Sequence, residues 1–344
     1  MINRVLIVGF GSIGKRHLRI ARTLIPNADI RVLRHKPTSY VIDYSNGSFN
    51  RVEEAIAFAP QLAVIANPAP FHIPVAQALA EIGVHLLVEK PLSASLIGVT
   101  DLIETCIQKN TALLTGYNLR FMPSLRYFRD SLATNLIGSV LSVRAEIGQD
   151  LPSWRPDSDY RNCVSAKKEL GGGALLELSH EIDYLRWIFG EIEWVTAELT
   201  RQSQLEIDVE DSANLILGFT PTSDSHQLIG TVNMDFIRHD KTRLCTAIGD
   251  RGSLRWNGLR GEVSVYEPEL GEWRTLFSHH QKRDDTYLSE WQNFLACANG
   301  SERPVITGED GMTVLEIIEA ARISAAQHRK VPVISVKQQN GINS

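Results

Sequence analysis

The sequence predicts an α/β protein with a doubly wound parallel sheet in its N-terminal part and a second α/β domain after it. The first observation is length, because 344 residues exceed the usual size of a single hydrophobic core. The second is a glycine-rich turn placed directly between an apolar strand and a helix. The third is that strands alternate with helices up to about residue 116, which is the pattern of a parallel sheet.

Composition excludes several classes of protein. The hydrophobic fraction of 43% and the charged fraction of 22% are ordinary for a globular chain. A net charge of -5 with mixed signs is not the footprint of a nucleic-acid-binding protein. The cysteines are scattered without a C-x-x-C pair, which argues against disulfides and metal sites. No apolar stretch approaches the roughly 18 residues of a membrane span, so we expect a cytoplasmic protein with no membrane partner.

The first glycine-rich turn follows a predicted strand at Arg4 to Val8 and precedes a predicted helix at Lys15 to Leu24. It reads G-x-G-x-x-G, and the amide groups and positive dipole end of such a helix suit the pyrophosphate of a dinucleotide. The alternative is a glycine-rich surface turn. The predicted cofactor-binding residues here are Gly9, Phe10, Gly11, Ser12, Ile13 and Gly14.

A basic triplet follows the second predicted strand, Ile30 to Leu33. In an NAD site an acidic residue at this point accepts from the ribose 2′-hydroxyl. This chain has Arg34, His35 and Lys36 instead, which would attract a 2′-phosphate. NADP is therefore favoured as the cofactor and NAD stays possible, the alternative being a basic surface loop.

Three further predicted strands end in polar residues. Leu62 to Ala66 leads to Asn67, Val84 to Val88 leads to Glu89-Lys90-Pro91, and Ala112 to Gly116 leads to Tyr117-Asn118. Ligands of doubly wound sheets lie beyond the carboxyl ends of the strands. We therefore expect these ends to converge on one crevice, formed by Gly9, Arg34, Asn67, Lys90 and Asn118.

Lys90 stands out because a proline follows it. Proline disfavours the α region for the preceding residue, so Lys90 should stay extended at the end of a strand. A lysine held at a strand end suits catalysis, and the alternative is a loop lysine that happens to precede a proline.

A second glycine run, Gly171-Gly172-Gly173, opens a predicted helix from Ala174 to Phe189. Glu177, His180 and Asp183 are three residues apart on it and lie off its apolar stripe. A histidine flanked by carboxylates suits general acid/base chemistry. A plain solvated helix face would carry the same residues.

The polar segment from Gln149 to Glu169 is long for a loop in a compact domain, which is typical of functional or disordered segments. Its aromatic and arginine side chains suit stacking on a sugar or nicotinamide and binding of phosphate or carboxylate. The alternative is a mobile surface loop. With Lys90 and His180, the predicted substrate-binding residues are Arg120, Trp154, Arg155, Tyr160 and Arg161.

Together these motifs resemble the Gfo/Idh/MocA oxidoreductases. The resemblance rests on Gly9 to Gly14, Asn67-Pro68-x-x-x-His72, Glu89-Lys90-Pro91 and the glycine run that leads to His180-x-x-Asp183. It implies an N-terminal Rossmann domain, here 1–120, and a C-terminal domain with a large open, mainly antiparallel sheet, here 121–344. It also implies a homodimer or homotetramer formed through that sheet. Cofactor contacts from Ala66, Pro68, His72 and Glu89 follow from the same motifs.

The resemblance implies hydride transfer between nicotinamide and a secondary hydroxyl or ketone of a sugar or cyclitol. Lys90 and His180 are the catalytic candidates, with Glu177 or Asp183 orienting the histidine. The family usually has an aspartate four residues before this histidine, where this chain has Leu176. The arginines suggest an anionic substrate: a nucleotide sugar, sugar phosphate or sugar acid. Two other functions stay open, a glycosidase that recycles its NAD and a non-catalytic dinucleotide-binding regulator.

Overall fold

A computed structural model describes residues 2–36, 41–154, 156–221 and 227–335 of the chain. The chain divides into two compact units. The first consists of Met1–Asn118 and Arg283–Leu315, and the second of Leu119–Lys282 and Glu316–Ser344. Residues 283–315, which the sequence analysis assigned to the second domain, thus belong to the first unit.

Strands and helices alternate in the first part of the chain. They are β1 (Arg4–Val8), α1 (Ser12–Leu24), β2 (Asp29–Leu33), β3 (Gly47–Phe49), α2 (Val52–Phe58), β4 (Leu62–Ile65), α3 (His72–Glu81), β5 (His85–Glu89), α4 (Val99–Gln108) and β6 (Leu113–Gly116). The strands form a six-stranded sheet in the order β3-β2-β1-β4-β5-β6, and every pair in it is parallel. The predicted doubly wound sheet is confirmed. Its central strands β1 and β4 are almost entirely apolar and buried, because such sheets are covered on both faces.

The second part of the chain is richer in strands. Its elements are α5 (Pro123–Ala133), β7 (Val140–Gly148), α6 (Ala174–Glu177), α7 (His180–Phe189), β8 (Ile192–Thr200), β9 (Ser212–Phe219), β10 (Ile229–Asp235), β11 (Thr242–Gly249), β12 (Ser253–Asn257), β13 (Glu262–Glu267), β14 (Glu272–Ser278), α8 (Asp285–Ala298), α9 (Gly308–Gln327) and β15 (Val331–Pro332). A nine-stranded sheet has the order β14-β13-β12-β11-β7-β10-β9-β8-β15. Its β7–β10 pair is parallel and its other pairs are antiparallel. This confirms the large, mainly antiparallel sheet.

Helix α8 explains why residues 283–315 belong to the first unit. Trp291 and Phe294 on α8 are fully buried in the same core cluster as Val5 and Ile7 of β1 and Leu18 of α1. Burying two large aromatic side chains contributes about 1.5–3 kcal/mol for each, so α8 is part of this core although it is distant in sequence.

The prediction of one continuous helix from Ala174 to Phe189 is wrong. Two helices replace it, α6 and α7, and His180 is the first residue of α7. Gly173 has a φ of +106°, and a Cβ there would lie 2.4 Å from Oε1 of Glu210. That oxygen accepts a hydrogen bond from the backbone of Leu175 at 3.0 Å. The glycine run therefore lets a carboxylate bond the start of α6, and the second helix begins separately after Ser179.

The predicted loop at Gln149 to Glu169 contains short 3-10 helices at Leu151–Trp154, Tyr160–Asn162, Val164–Ala166 and Lys168–Leu170. Of this segment, Arg155 lies outside the described residues. None of the helices in the described ranges is long and apolar enough to cross a membrane.

Candidate active site

The glycine turn after β1 packs closely against neighbouring backbone segments. Gly9 has a φ of +93°, and a Cβ there would lie 2.7 Å from the backbone of Ala66 and Asn67, just past β4. A Cβ on Gly14 would lie 2.2 Å from the Gly9 carbonyl oxygen. A Cβ on Gly11 would meet nothing within 4 Å. The turn therefore lies between the ends of β1 and β4, the point where the strand order reverses, and Gly11 faces open space.

The N-terminus of α1 suits an anion. Gly11 is its N-cap residue, and its first turn contains no acidic side chain. Gly11 and Ser12 are exposed, so the partial positive charge of this helix end faces solvent. A pyrophosphate bound here would meet backbone N–H groups and no competing carboxylate. The residues present fit a dinucleotide at this position, with Ile13 half-buried beneath.

Two cations flank Phe10 in the same turn. The Arg34 guanidinium carbon lies 5.3 Å from the centre of the Phe10 ring, and Lys15 Nζ lies 5.1 Å from it. Arg34 follows β2 directly, and the next two residues, His35 and Lys36, are exposed. The carboxyl end of β2, where the adenosine ribose of a bound dinucleotide is expected, is thus strongly basic.

The turn after β4 contains an unused acceptor. Nδ2 of Asn67 donates to the Phe71 carbonyl at 3.1 Å, while its buried Oδ1 has no hydrogen-bond partner among the described residues. Such an atom normally needs a partner, and a ligand hydroxyl at the crevice would provide one. Ala66 and Pro68 on either side are half-buried.

His72 lies beneath this turn. Its Nε2 is 2.6 Å from the Asn67 carbonyl oxygen, and its Nδ1 is 3.1 Å from that of Pro91. The side chain is fully buried, which lowers its pKa against the raising effect of the Asn67 carbonyl. His72, a predicted cofactor-binding residue, therefore ties the turn after β4 to the turn after β5.

Lys90 follows the last residue of β5, as predicted. Its backbone N–H donates to Oε2 of Glu89 at 3.1 Å, and Oε1 of Glu89 lies 2.7 Å from Nε2 of His17 on α1. Glu89 is only 6% exposed, so this predicted cofactor residue holds the backbone of Lys90.

Asn118 is another predicted cofactor-binding residue. Its Nδ2 donates to the Thr286 hydroxyl at 3.2 Å.

In the second unit, His180 lies in a cluster of polar side chains. Nη2 of Arg243 on β11 donates to Nε2 of His180, and Nε of Arg243 lies 3.1 Å from Oε1 of Glu181. The same His180 nitrogen lies 3.2 Å from that Glu181 oxygen. A guanidinium only donates and an ionised carboxylate only accepts. Nε2 therefore has a partner when it lacks a proton and another when it carries one.

The charges in this cluster affect one another. Burial alone would raise the pKa of Glu181, but Arg243 and His180 outweigh it and hold that pKa below its ordinary value. Burial, with Cys245 and Glu181 close by, raises the pKa of Tyr184 well above its ordinary value. Glu181 is thus ionised near neutral pH and Tyr184 is a neutral hydroxyl.

Asp183 forms a buried ion pair with Arg120. Its carboxylate accepts from Nη2 of Arg120 at 2.6 Å and from Nε at 3.0 Å. Both side chains are buried, at 4% and 0% exposure. Arg120, a predicted substrate-binding residue, is thus one member of a buried ion pair. Glu177 ends α6 and is half-buried.

The predicted substrate residues of the 149–169 segment make contacts within their own unit. Nε1 of Trp154 donates to the Gln149 carbonyl at 2.9 Å. The Tyr160 hydroxyl accepts from the Glu206 backbone at 3.3 Å. Arg161 is exposed and pairs with Asp159 at 2.8 Å and with Glu206 at 3.0 Å, and these carboxylates raise its pKa.

Sequence reasoning missed Glu181, Arg243 and His17. Glu181 was passed over because adjacent residues do not normally face each other on a helix, whereas His180 begins its helix. Ser179 followed by two acidic residues is the N-terminal signal that could have placed that start. Arg243 and His17 reach their partners through tertiary contacts, and no local pattern points to them.

Two family models match the chain. The model described as "Oxidoreductase family, NAD-binding Rossmann fold" matches residues 3–117, and the one described as "Oxidoreductase family, C-terminal alpha/beta domain" matches residues 129–333.

Characterised relatives match most of the chain. It is 28% identical over 260 residues to myo-inositol 2-dehydrogenase from Thermotoga maritima, covering 73% of each chain. It is 24% identical over 348 residues to inositol 2-dehydrogenase from Rhizobium meliloti, covering 97% of this chain and 100% of the relative. A solved structure of levoglucosan dehydrogenase in complex with NADH superposes with a TM-score of 0.84 at 22% identity, covering 97% of this chain and 100% of that one. At that identity the structural likeness concerns the fold.

Proposed function

The chain belongs to the Gfo/Idh/MocA oxidoreductase family, and we propose that it oxidises or reduces a secondary hydroxyl group of a sugar or cyclitol with NAD(P) as hydride carrier. The family matches confirm the resemblance inferred from its motifs. The relatives named inositol dehydrogenase support a polyhydroxylated ring as the substrate class.

The observation that carries the proposal is the glycine turn. Gly9 and Gly14 are packed too closely against backbone to accept a side chain, while Gly11 faces open space at the start of α1. This combination would bring the backbone close to a pyrophosphate. Lys90 directly follows β5, which is separated from β1 by β4 in the same sheet.

Two residues carry the proposed chemistry. When bound, the dinucleotide supplies the nicotinamide carbon that accepts or returns the hydride. Lys90 would donate a hydrogen bond from Nζ to the reacting oxygen and stabilise its developing negative charge. His180 would take the hydroxyl proton during oxidation and return it during reduction. Its Nε2 keeps a partner in both states, Arg243 without the proton and Glu181 with it.

Replacement of Lys90 tests the assignment. Lys90→Ala should lower kcat at least about 100-fold, a typical loss for one group that stabilises a developing oxyanion, and should leave NADH binding largely intact. The matched control is Lys109→Ala, an exposed lysine at the end of α4, which should behave as wild type. Wild-type turnover in Lys90→Ala with bound cofactor would refute the role of Lys90.

We propose NADP(H) as the preferred cofactor, supported by Arg34, which directly follows β2, and by Lys15 of α1, both of which lie against the Phe10 ring. Arg34→Ala should weaken NADPH binding about tenfold more than NADH binding, since a charge-assisted contact is worth about 1.5–3 kcal/mol. The control is Arg4→Ala, at the opposite end of β1. Equal losses for both dinucleotides, measured by fluorescence titration, would contradict the preference.

The substrate is best found by a screen of cofactor reduction with cyclitols, neutral sugars, sugar phosphates, sugar acids and nucleotide sugars. The anionic class suggested by the sequence loses part of its basis, because Arg120 and Arg161 are paired with carboxylates of the chain. Release of sugar with no net change in reduced dinucleotide would identify a glycosidase instead. Tight dinucleotide binding with no turnover on any class would identify a regulator.

Self-association through the nine-stranded sheet is the proposed assembly. One face of that sheet presents the exposed side chains of Ile216 and Trp273, with Arg255 stacked 3.9 Å from the Trp273 ring. Light scattering on Trp273→Glu should report smaller particles than for wild type. Identical masses would argue against this face.

A further inference from the structure

A buried cluster in the first unit is not used by the proposed chemistry. His17 on α1, Glu89 at the end of β5 and Glu290 on α8 each offer one ligand-type atom, and these atoms lie within 4.8 Å of one another. All three side chains are buried, and Glu290 is only 1% exposed. In the described parts of the chain neither oxygen of Glu290 has a hydrogen-bond partner, which is costly for a buried carboxyl group.

A hydrogen bond from Trp291 determines which nitrogen of His17 carries the proton. Nε1 of Trp291 lies 2.9 Å from Nδ1 of His17, and an indole N–H only donates. Nδ1 must therefore accept, so the proton of a neutral His17 lies on Nε2 and is donated to Oε1 of Glu89 at 2.7 Å. A metal ion at Nε2 would require that proton to move to Nδ1, where it would face the indole N–H. The cluster is thus built for a proton and not for a metal.

Glu89 is occupied at both oxygens. Oε1 accepts from His17 and Oε2 accepts from the backbone N–H of Lys90 at 3.1 Å. Gly116 of β6 leaves room for this carboxylate, since a Cβ there would lie 3.2 Å from Oε2. Two donors favour an ionised Glu89. A second ionised carboxylate within 4.8 Å would repel it strongly, because both side chains are buried.

We propose that Glu290 is a positioning residue, a carboxylic acid that keeps its proton beside the ionised Glu89 and so leaves a single negative charge against the backbone of Lys90. The carboxyl pair carries one proton between its two members. The importance of Lys90 rests on the proposed function, while the proton on Glu290 does not.

The surrounding groups agree with this arrangement. Burial, with Glu89 adding to it, raises the pKa of Glu290 well above its ordinary value. For Glu89, burial would raise the pKa, but His17 and Lys90 outweigh it and lower it. The titratable and charged groups that face the pair are His17 and Arg16 of α1, His72 of α3, Lys90 after β5 and Tyr287 of α8.

Infrared spectroscopy on the whole protein tests the proton directly and needs no turnover. Near neutral pH the wild type should show the carbonyl band of a protonated carboxyl group, and the band should be missing in Glu290→Gln. It should persist in Glu104→Gln, a control at an exposed glutamate of α4. In the wild type the band should disappear at alkaline pH, a measurement that holds even if the variant folds poorly. Loss of ionised-carboxylate bands alone in Glu290→Gln would overturn the proposal.

The pH dependence of the free energy of unfolding is an independent test. A folded-state pKa above the unfolded value stabilises the fold at acid pH, and this stability is lost as pH rises towards the folded pKa. In that window the folded-to-unfolded ratio of wild type, relative to Glu290→Gln, should fall about tenfold for each pH unit. Parallel pH profiles for the two proteins would overturn the proposal.

Dinucleotide binding connects the pair to the site. In the wild type NADPH affinity should fall at alkaline pH as Glu290 ionises, and in Glu290→Gln this fall should be absent. The same fall in both proteins would overturn the positioning role. A divalent metal that copurifies with the wild type and is missing from Glu290→Gln would overturn the proton pair altogether. Failure of Lys90→Ala to lose turnover would refute the proposed chemistry and leave the infrared and stability results standing.

Discussion

Replacement of Asp183 by asparagine separates a structural from a catalytic role for this carboxylate. The change keeps the shape of the side chain and removes its charge, so the buried Arg120 loses the charged group that bonds two of its nitrogens. The two side chains are 0% and 4% exposed, and two nitrogens of Arg120 bond the carboxylate at 2.6 and 3.0 Å. Breaking a buried pair by removing one partner costs about 3–5 kcal/mol.

Local geometry supports a loss near the middle of that range. The guanidinium of Arg129 lies 4.2 Å from the Trp187 ring, and that of Arg120 lies 5.8 Å from the same ring. Without Asp183 two like charges flank one ring, and we expect a loss of about 4 kcal/mol. At about 2–4 °C for each kcal/mol in a domain of this size, Tm should fall by roughly 8–16 °C.

Calorimetry and turnover on the same preparations provide the assay. Asp130→Asn is the matched control, because Asp130 pairs with Arg129 at the surface, where the side chains are 39% and 63% exposed, and such pairs contribute about 0–1 kcal/mol. Arg120→Met combined with Asp183→Leu should recover most of the lost stability, since both charges of this pair are removed together. A wild-type Tm in Asp183→Asn together with lost turnover would refute the structural role and return Asp183 to the chemistry.

The other predictions concern the glycine turn and the histidine cluster. Gly14→Ala should destabilise the fold, since its Cβ would lie 2.2 Å from a backbone oxygen, whereas Gly11→Ala, with open space around it, should keep Tm and weaken NADH binding; equal Tm values would contradict this. Glu181→Gln should be less stable than wild type near neutral pH. Because the folded-state pKa of Glu181 is lowered, this difference should vanish as pH falls through that pKa, and a difference that persists in acid would refute it.

Local sequence patterns were sufficient for the parallel sheet. The run from Arg4 to Val8 is apolar because both faces of its sheet are covered, and the predicted bounds agree with those of β1. Strand β3 could not be predicted in this way, because its three residues are too few for a hydrophobic periodicity to appear. The return of α8 to the first core could not be predicted, because amphipathic spacing identifies a buried face and not its partner.

The cluster around His180 likewise contains contacts that local sequence patterns cannot predict. Spacing along one continuous helix favoured Glu177 and Asp183 as partners of His180. The break after α6 makes His180 the first residue of α7, and Arg243 from β11 brings the side chains of His180 and Glu181 together. Asp183 pairs with Arg120, a residue far from it in the chain.

The sequence by itself determined the family, the glycine turn and the strand-end position of Lys90, because each depends on backbone conformation and on residues within a few positions of one another. Only the tertiary structure decided which charges are paired. Burial makes an unpaired charge costly, so Asp183, Glu181 and Glu89 each lie against a donor supplied by another element. Which donor arrives depends on how helices and strands pack, and that information is spread over the whole chain.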